Sequence, residues 1–284
     1  MTTPLLDQIL YNPKTLSVRF QPIFRISSDV HQIVSLEGLI RGPARTHFER
    51  ADILFDYVRR KHAETAVDRS CIAAISKVVA DLPPDLHINL NVHASTLGQN
   101  PQFVDFFRHQ MQNLCLDLDR FTLEIVEHSP AYNVPGLTCN LRALRDLGVR
   151  IALDDVGLGS SNYRMILDCH PDFFKLDAFF VEGVSRDRER RAVVKSIMCM
   201  AEEMKATVVA EGVHSGEDMW VLTEMGIELF QAHILCPPLL PREVRAKGFL
   251  PVQNAGRELL RQTPSLVSRC APRGADSLSM KQSV

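Results

Sequence analysis

Two adjacent acids, Asp154 and Asp155, close the apolar run Arg150-Ile151-Ala152-Leu153. Neighbouring carboxylates repel each other and resist desolvation unless a cation or a shared proton offsets the charge. A divalent metal is the usual remedy, because hard cations take oxygen ligands. Gly148 precedes the run, and Gly157 and Gly159 follow it. That punctuation cuts the run to strand length and lets the backbone turn tightly beside the acids. Taken alone, such a pair is more often an acidic strand end facing water. The other strand ends decide the matter.

Those ends come from a regular alternation. Ser17–Ile26 and residues 30–41 read as two strands joined through Ser27-Ser28-Asp29, a connection too short for a crossover helix, so the two should be antiparallel. A helical region over residues 50–79 then precedes a strand at His87–His93. Further strands are expected at residues 120–127, at Arg150–Asp155, at residues 172–177 and 206–211, and from Leu229 to His233, with helices between them. Eight strands in serial strand–helix order predict an α/β fold, a TIM-type (β/α)8 barrel with an antiparallel first strand. Residues 1–250 form the barrel in this reading. A short entry helix covers Thr3 to Leu10, and residues 251–284 are a helical remnant with a disordered tail. There is no internal repeat beyond this rhythm and no boundary for a second domain.

Glu37, Asn91, Glu124, Asp154 with Asp155, Lys175, Glu211 and Gln231 stand at or near the carboxyl ends of nearly every expected strand. In a barrel those ends share one face, where such folds keep their chemistry. Separate explanations exist for each residue, a snorkelling lysine or a turn-capping amide for example, but one shared site is the simpler account. Carboxylates and an amide make a hard oxygen nest suited to Mg²⁺ or Mn²⁺ rather than to zinc. An Asp bridging two ions suits hydrolysis of a phosphoester, and a lysine across the pocket could polarise water or steady developing charge. The residues alone therefore point to a metal-dependent phosphoesterase or to a hydrolase of another ester.

Glu37-Gly38-Leu39-Ile40-Arg41 resembles the Glu-Ala-Leu-x-Arg signature of the EAL family of cyclic di-GMP phosphodiesterases. Gln21-Pro22-Ile23, Asn91, Glu124-Ile125-Val126-Glu127, Leu153-Asp154-Asp155, Lys175-Leu176-Asp177, Ala210-Glu211-Gly212-Val213 and Gln231 follow in that family's order. The resemblance implies a barrel whose first strand runs antiparallel, and hydrolysis of cyclic di-GMP to linear pGpG with two ions, Mg²⁺ or Mn²⁺. It implies Glu37, Asn91, Glu124 and Asp154 as ligands of one metal and Asp154 with Asp155 as ligands of the second. Glu211 would be a water-mediated ligand or general base, and Lys175 would contact the nucleophilic water. Gln231 would support the metal–water network and, with Gln21 and Arg41, the substrate; Arg41 suits a ligand phosphate. Glu127 would anchor the following loop through Gly159 and Ser161.

That loop departs from the family pattern. Val156, Leu158, Ser160 and Asn162 replace Phe, Thr, Tyr and Ser, and His214 stands where the family has a second Glu. Gly38 for alanine is a small-for-small change expected to matter little. The loop is linked in the family to the second metal and to part of a homodimer contact. The alternative reading is accordingly a catalytically weak or inactive member that serves as a cyclic di-GMP receptor or protein-interaction module. No sensory domain is recognisable, so regulation would come from a partner protein, dimerisation or expression.

His93, His128, His214 and His233 follow the strand-end motifs. They are read as ordinary rim or core histidines, against a lesser reading in which one or two substitute for missing supporting groups or make activity sensitive between about pH 6 and 7. The run from Arg186 to Arg191 reads as a solvated helix start. A net charge of −2 over 284 residues excludes a broad nucleic-acid or anionic-membrane surface. Seven scattered cysteines lack metal-ligand spacing and point to a reduced compartment. With no signal pattern and no membrane-length apolar run, the expected location is the cytoplasm.

Overall fold

The computed structural model describes residues 9, 15–27, 31–126, 134–158 and 162–247. The expected entry helix apart from Ile9, the tail beyond residue 250, and Glu127, His128, Gly159, Ser160 and Ser161 lie outside the described residues.

Eight strands close into one barrel in chain order. They are β1 (Ser17–Ile26), β2 (His31–Arg41), β3 (His87–His93), β4 (Phe121–Val126), β5 (Arg150–Val156), β6 (Phe173–Leu176), β7 (Thr207–Glu211) and β8 (Leu229–Gln231). β1 runs antiparallel to both its neighbours, β2 and β8, and every other pair is parallel. The short β1–β2 connection forces the first reversal, and helical crossovers make the rest parallel.

Alternation along a strand decides what faces the barrel interior. In β3, Ile88, Leu90 and Val92 share one face, and Asn89 and Asn91 share the other. The two asparagines hydrogen-bond carboxylates of β4 and β2, so theirs is the interior face. The outer faces pack under helices through an apolar layer in which Phe107 meets Phe121 edge-on at 5.8 Å. The helical region expected over 50–79 is two helices, α1 (Ala51–Arg60) and α2 (Glu64–Val79). They are parted at His62, whose φ is +51°. Leu54 and Val58 bury the inner face of α1.

β5 carries the irregularity that matters. Its register with β6 runs Leu153 to Phe174 and then Val156 to Leu176, so Asp154 and Asp155 drop out of the ladder as a bulge. Asp155 sits at φ +51°. Gly157 follows at φ +101°, where a Cβ would come within 2.5 Å of the Phe180 ring, so only glycine lets the strand end lie against that aromatic. No described helix is long and apolar enough to cross a membrane.

Candidate active site

Lys175 is the centre of the site. It projects from β6 into the barrel with a side chain 2% exposed. Its ammonium lies 2.5 Å from Glu124 Oε2, 2.6 Å from Glu211 Oε1, 3.4 Å from Asp154 Oδ1 and 3.5 Å from Glu37 Oε2. Strands β2, β4, β5 and β7 each contribute one of those carboxylates.

Amides lock the acids in place. Asn91 Nδ2 donates to Glu37 Oε1 at 2.6 Å, and Gln231 Nε2 donates to Glu37 Oε2. Asn89 Nδ2 donates to Glu124 Oε1 at 2.7 Å. Asn89 was not among the expected site residues, although its place two positions before Asn91 puts it on the same strand face.

One ammonium cannot neutralise these four carboxylates. Burial drives Glu124 well above its ordinary value, Glu37 adds to the rise, and Lys175 only partly offsets it. Burial likewise pushes Glu211 up to about 8 against the pull of Lys175. Burial would also raise Glu37, but Lys175 and the amide donors outweigh it and hold that carboxyl low. Lys175 itself is raised: burial opposes its charge, and Asp154, Glu124, Glu211 and Glu37 overcome that opposition. Such a nest is short of positive charge.

Asp155 stands beside the Lys175 cluster rather than within it. Burial, Asp154 and then Asp177 raise it to about 6, and its side-chain contact is with Asp177 beyond the end of β6. Asp177 also caps the turn of helix that follows, accepting from the Phe179 N–H at 2.7 Å.

Hard oxygens converging from separate strands are the donor chemistry of a Mg²⁺ or Mn²⁺ site. Asp154 Oδ1, Glu211 Oε1 and Gln231 Oε1 are buried without a hydrogen-bond donor, although the first two meet Lys175 as ion pairs. Among the described residues, no three His, Cys, Asp or Glu already stand as a metal-ligand group, because the acids close on the lysine instead. The residue types fit the metal, and the arrangement is folded around its own cation.

Arg41 lines a cavity of about 330 Å³ that reaches Asn91 and Asp154. Gln21 is buried across from Glu37 in the β1–β2 register and does not line that cavity. Gln231 is buried beside Glu211 in the ladder and serves Glu37 rather than the cavity. Of the described strand-end histidines, His214 and His233 are exposed, whereas His93 is buried and bonded to Asp68. The run from Arg186 begins a solvated helix, Arg188–Glu203, capped by Asp187, with Arg186 paired to Glu217 at 2.9 Å.

Known proteins share this architecture. The EAL domain family model matches residues 6–238. The chain is 27% identical over 239 residues to "Cyclic di-GMP phosphodiesterase NbdA" of Pseudomonas aeruginosa, covering 79% of this chain and 29% of that protein. It is 29% identical over 231 residues to "Cyclic di-GMP phosphodiesterase TpdA" of Vibrio parahaemolyticus, covering 79% and 37%. The chain thus spans about a third of the length of these curated relatives. Among solved structures, a Listeria monocytogenes EAL domain protein superposes with TM-score 0.73 at 23% identity, covering 87% of this chain and 98% of that one. A standalone EAL protein from Vibrio cholerae in its c-di-GMP-bound form superposes with TM-score 0.70 at 19% identity, covering 80% and 93%. A family match over most of the length, on a barrel whose first strand opposes both its neighbours, places this chain in the EAL domain family.

Proposed function

We propose that this domain is a metal-dependent phosphodiesterase that opens cyclic di-GMP to linear pGpG. The observation that carries the reading is the meeting of Glu37, Glu124, Asp154 and Glu211 around one buried point, beside a cavity lined by Arg41. The activity for which its relatives are named agrees with it. Glu37, Asn91, Glu124 and Asp154 would hold one Mg²⁺ or Mn²⁺, and Asp154 with Asp155 a second. Such ions supply a water of lowered pKa and screen the phosphoryl oxygens.

The protein groups do the rest. Asn91 and Gln231 fix Glu37, and Asn89 fixes Glu124, so the donors are positioned before substrate arrives. Arg41 pairs its fork of donors with a substrate phosphate. Lys175 donates to the attacking water, and Glu211 accepts its proton as the water oxygen joins phosphorus; the bond from phosphorus to the 3′ oxygen breaks, and that oxygen takes a proton from solvent to become the free hydroxyl. Cys71, Cys115, Cys139 and Cys199 are free thiols, which supports a reducing, cytoplasmic setting. Tyr163 and Leu167, 75% and 65% exposed just after the altered loop, support a homodimer, which sedimentation would detect.

Purified protein given cyclic di-GMP with Mg²⁺ or Mn²⁺ tests the reading, with Asp154→Asn as control. Release of pGpG by the wild type and not by the control is the expected result. Binding without pGpG favours the receptor reading, which draws support from acids already closed on Lys175 and from Val156 and Leu158 in the loop. Neither binding nor cleavage overturns both.

A further inference from the structure

We infer that the floor of the barrel binds a small inorganic anion, of the size of chloride, in a cavity behind the acidic nest, with Arg150 as its principal cation. The site stands independently of the phosphodiesterase reading.

That cavity has a volume of about 80 Å³, and Ser35, Thr122, Arg150, Ala152 and Lys175 are among its walls. On β5, Arg150, Ala152 and Asp154 share the interior face, so the cavity lies on the floor side of the nest. Barrel interiors are commonly filled by layers of bulky branched side chains. Ser35, Thr122 and Ala152 are small instead, and the space they leave has room for about two or three water-sized groups. Ile23, Val209 and Leu229 close one side with an apolar cluster.

Charge selects the occupant. Arg25, Arg150 and Lys175 line the cavity, and no Asp or Glu does. The ammonium of Lys175 is already engaged by the nest. Arg25 is largely exposed and reaches Glu228 only at 3.9 Å. Arg150 is left without an answering charge. It is partly buried, donates to Nδ1 of His87 and lies with its guanidinium 5.5 Å from the centre of the Phe173 ring. Neither partner is an anion, since burial and Arg150 itself hold His87 below its ordinary value and keep the imidazole neutral. Among the described residues no carboxylate forms an ion pair with Arg150. Asp172, the acid that bears on it most, accepts instead from the Ile151 N–H at 2.8 Å. A guanidinium drawn out of water without a counter-ion is costly, and its fork keeps N–H groups to donate to one. Thr122, 2% exposed and with no hydrogen-bond partner among the described residues, adds a hydroxyl donor. Water alone would fill the same space and leave the charge unmatched.

Thermal unfolding of the full chain in EDTA tests this, with chloride replacing gluconate at constant ionic strength so that general screening is held fixed. The wild-type midpoint should rise by about 2–4 °C and level off as chloride saturates the site, because an ion that binds only the folded state stabilises by mass action. Bromide should act as chloride does, and a crystal grown in bromide should show an anomalous peak beside the Arg150 guanidinium. Arg150→Gln should abolish the rise. Thr122→Val, which keeps the shape and removes the hydroxyl, should weaken the apparent chloride affinity several-fold and decides the matter if Arg150→Gln does not fold. Equal midpoints in chloride and gluconate overturn the inference and leave water in the cavity. A bromide peak without a saturable chloride effect in solution marks an adventitious ion only and overturns it too. So does a chloride response that persists unchanged in the folded variants, which would place the ion elsewhere. None of these outcomes depends on whether cyclic di-GMP is cleaved.

Discussion

The ammonium of Lys175 stands 2.5 Å from Glu124 Oε2, and the barrel excludes both side chains from water. This is the position a metal-binding nest would give to a cation. Glu37, Asp154 and Glu211 turn toward the same nitrogen. The lysine thus has a structural task in the metal-free protein besides any catalytic one: it keeps mutually repelling acids together at the strand ends.

Removing that charge should be costly. Lys175→Met leaves buried carboxylates without their counter-ion, and breaking a buried pair from one side typically costs about 3–5 kcal/mol. Urea unfolding in EDTA should show a loss near that size. Saturating Mn²⁺ should recover about 2–3 kcal/mol of it, since a ligand that binds only the folded state stabilises by mass action. A variant as stable as wild type in EDTA would mean that the ammonium does not hold the nest.

Gln231 bears on metal binding through Glu37. Its amide donates to the Glu37 carboxylate from the opposite side to Asn91. Gln231→Leu keeps the bulk and deletes the donor. Loss of a group that orients a metal ligand usually costs about 10- to 100-fold in metal affinity, and Mn²⁺ titration calorimetry should show a weakening in that range. An affinity unchanged from wild type would separate Glu37 from the metal site.

Gly38 is less interchangeable with alanine than its small size suggests. A Cβ added there would lie 2.9 Å from both Cδ1 and Cγ2 of Ile75 on α2. Cγ2 is fixed by the β-branch and cannot swing away without moving the helix. Gly38→Ala should therefore destabilise by about 1–3 kcal/mol as an overpacked core substitution. Adding Ile75→Val removes Cδ1 and should recover part of that loss. A double-mutant cycle by denaturant unfolding checks the coupling, and additive effects would argue against the contact.

These pairs mark what could be read from the chain itself and what could not. Strand order and the inward set Glu37, Asn91, Glu124, Asp154, Lys175 and Glu211 were legible, because a polar residue ending an apolar run repeats at intervals that only a barrel reconciles. Asn89 was legible by alternation, yet it sits mid-strand, where attention to strand ends passes over it. The bulge that turns Asp155 toward Asp177 was not visible, because register belongs to two strands and appears in neither alone. The Asp68–His93 bond joins residues 25 apart on a helix and a strand, and the Gly38–Ile75 contact is set by how closely α2 lies on β2. Such contacts depend on packing distance, which residue type does not encode.

A last relationship lies away from the nest. Asp218, buried at the start of the helix Gly216–Glu224, accepts from the backbone N–H groups of Gly183 at 3.1 Å and Ser185 at 2.8 Å, and from Ser215 Oγ at 2.8 Å. Ser215 caps the same helix by accepting from Asp218 N at 3.1 Å, so one reciprocal cap pins the turn after Val181 to this helix. Burial would raise Asp218, but the Ser185, Ser215 and Gly183 donors outweigh it and hold the carboxyl below its ordinary value of 3.8. A folded-state value below the unfolded one contributes stability above that ordinary value and loses it as pH falls through the folded value. Asp218→Ala should thus cost about 1–3 kcal/mol at neutral pH. In urea unfolding the gap to wild type should stay full at about pH 6 and narrow at about pH 3 and below. A gap of the same size at both would assign the loss to packing rather than to the carboxylate's charge.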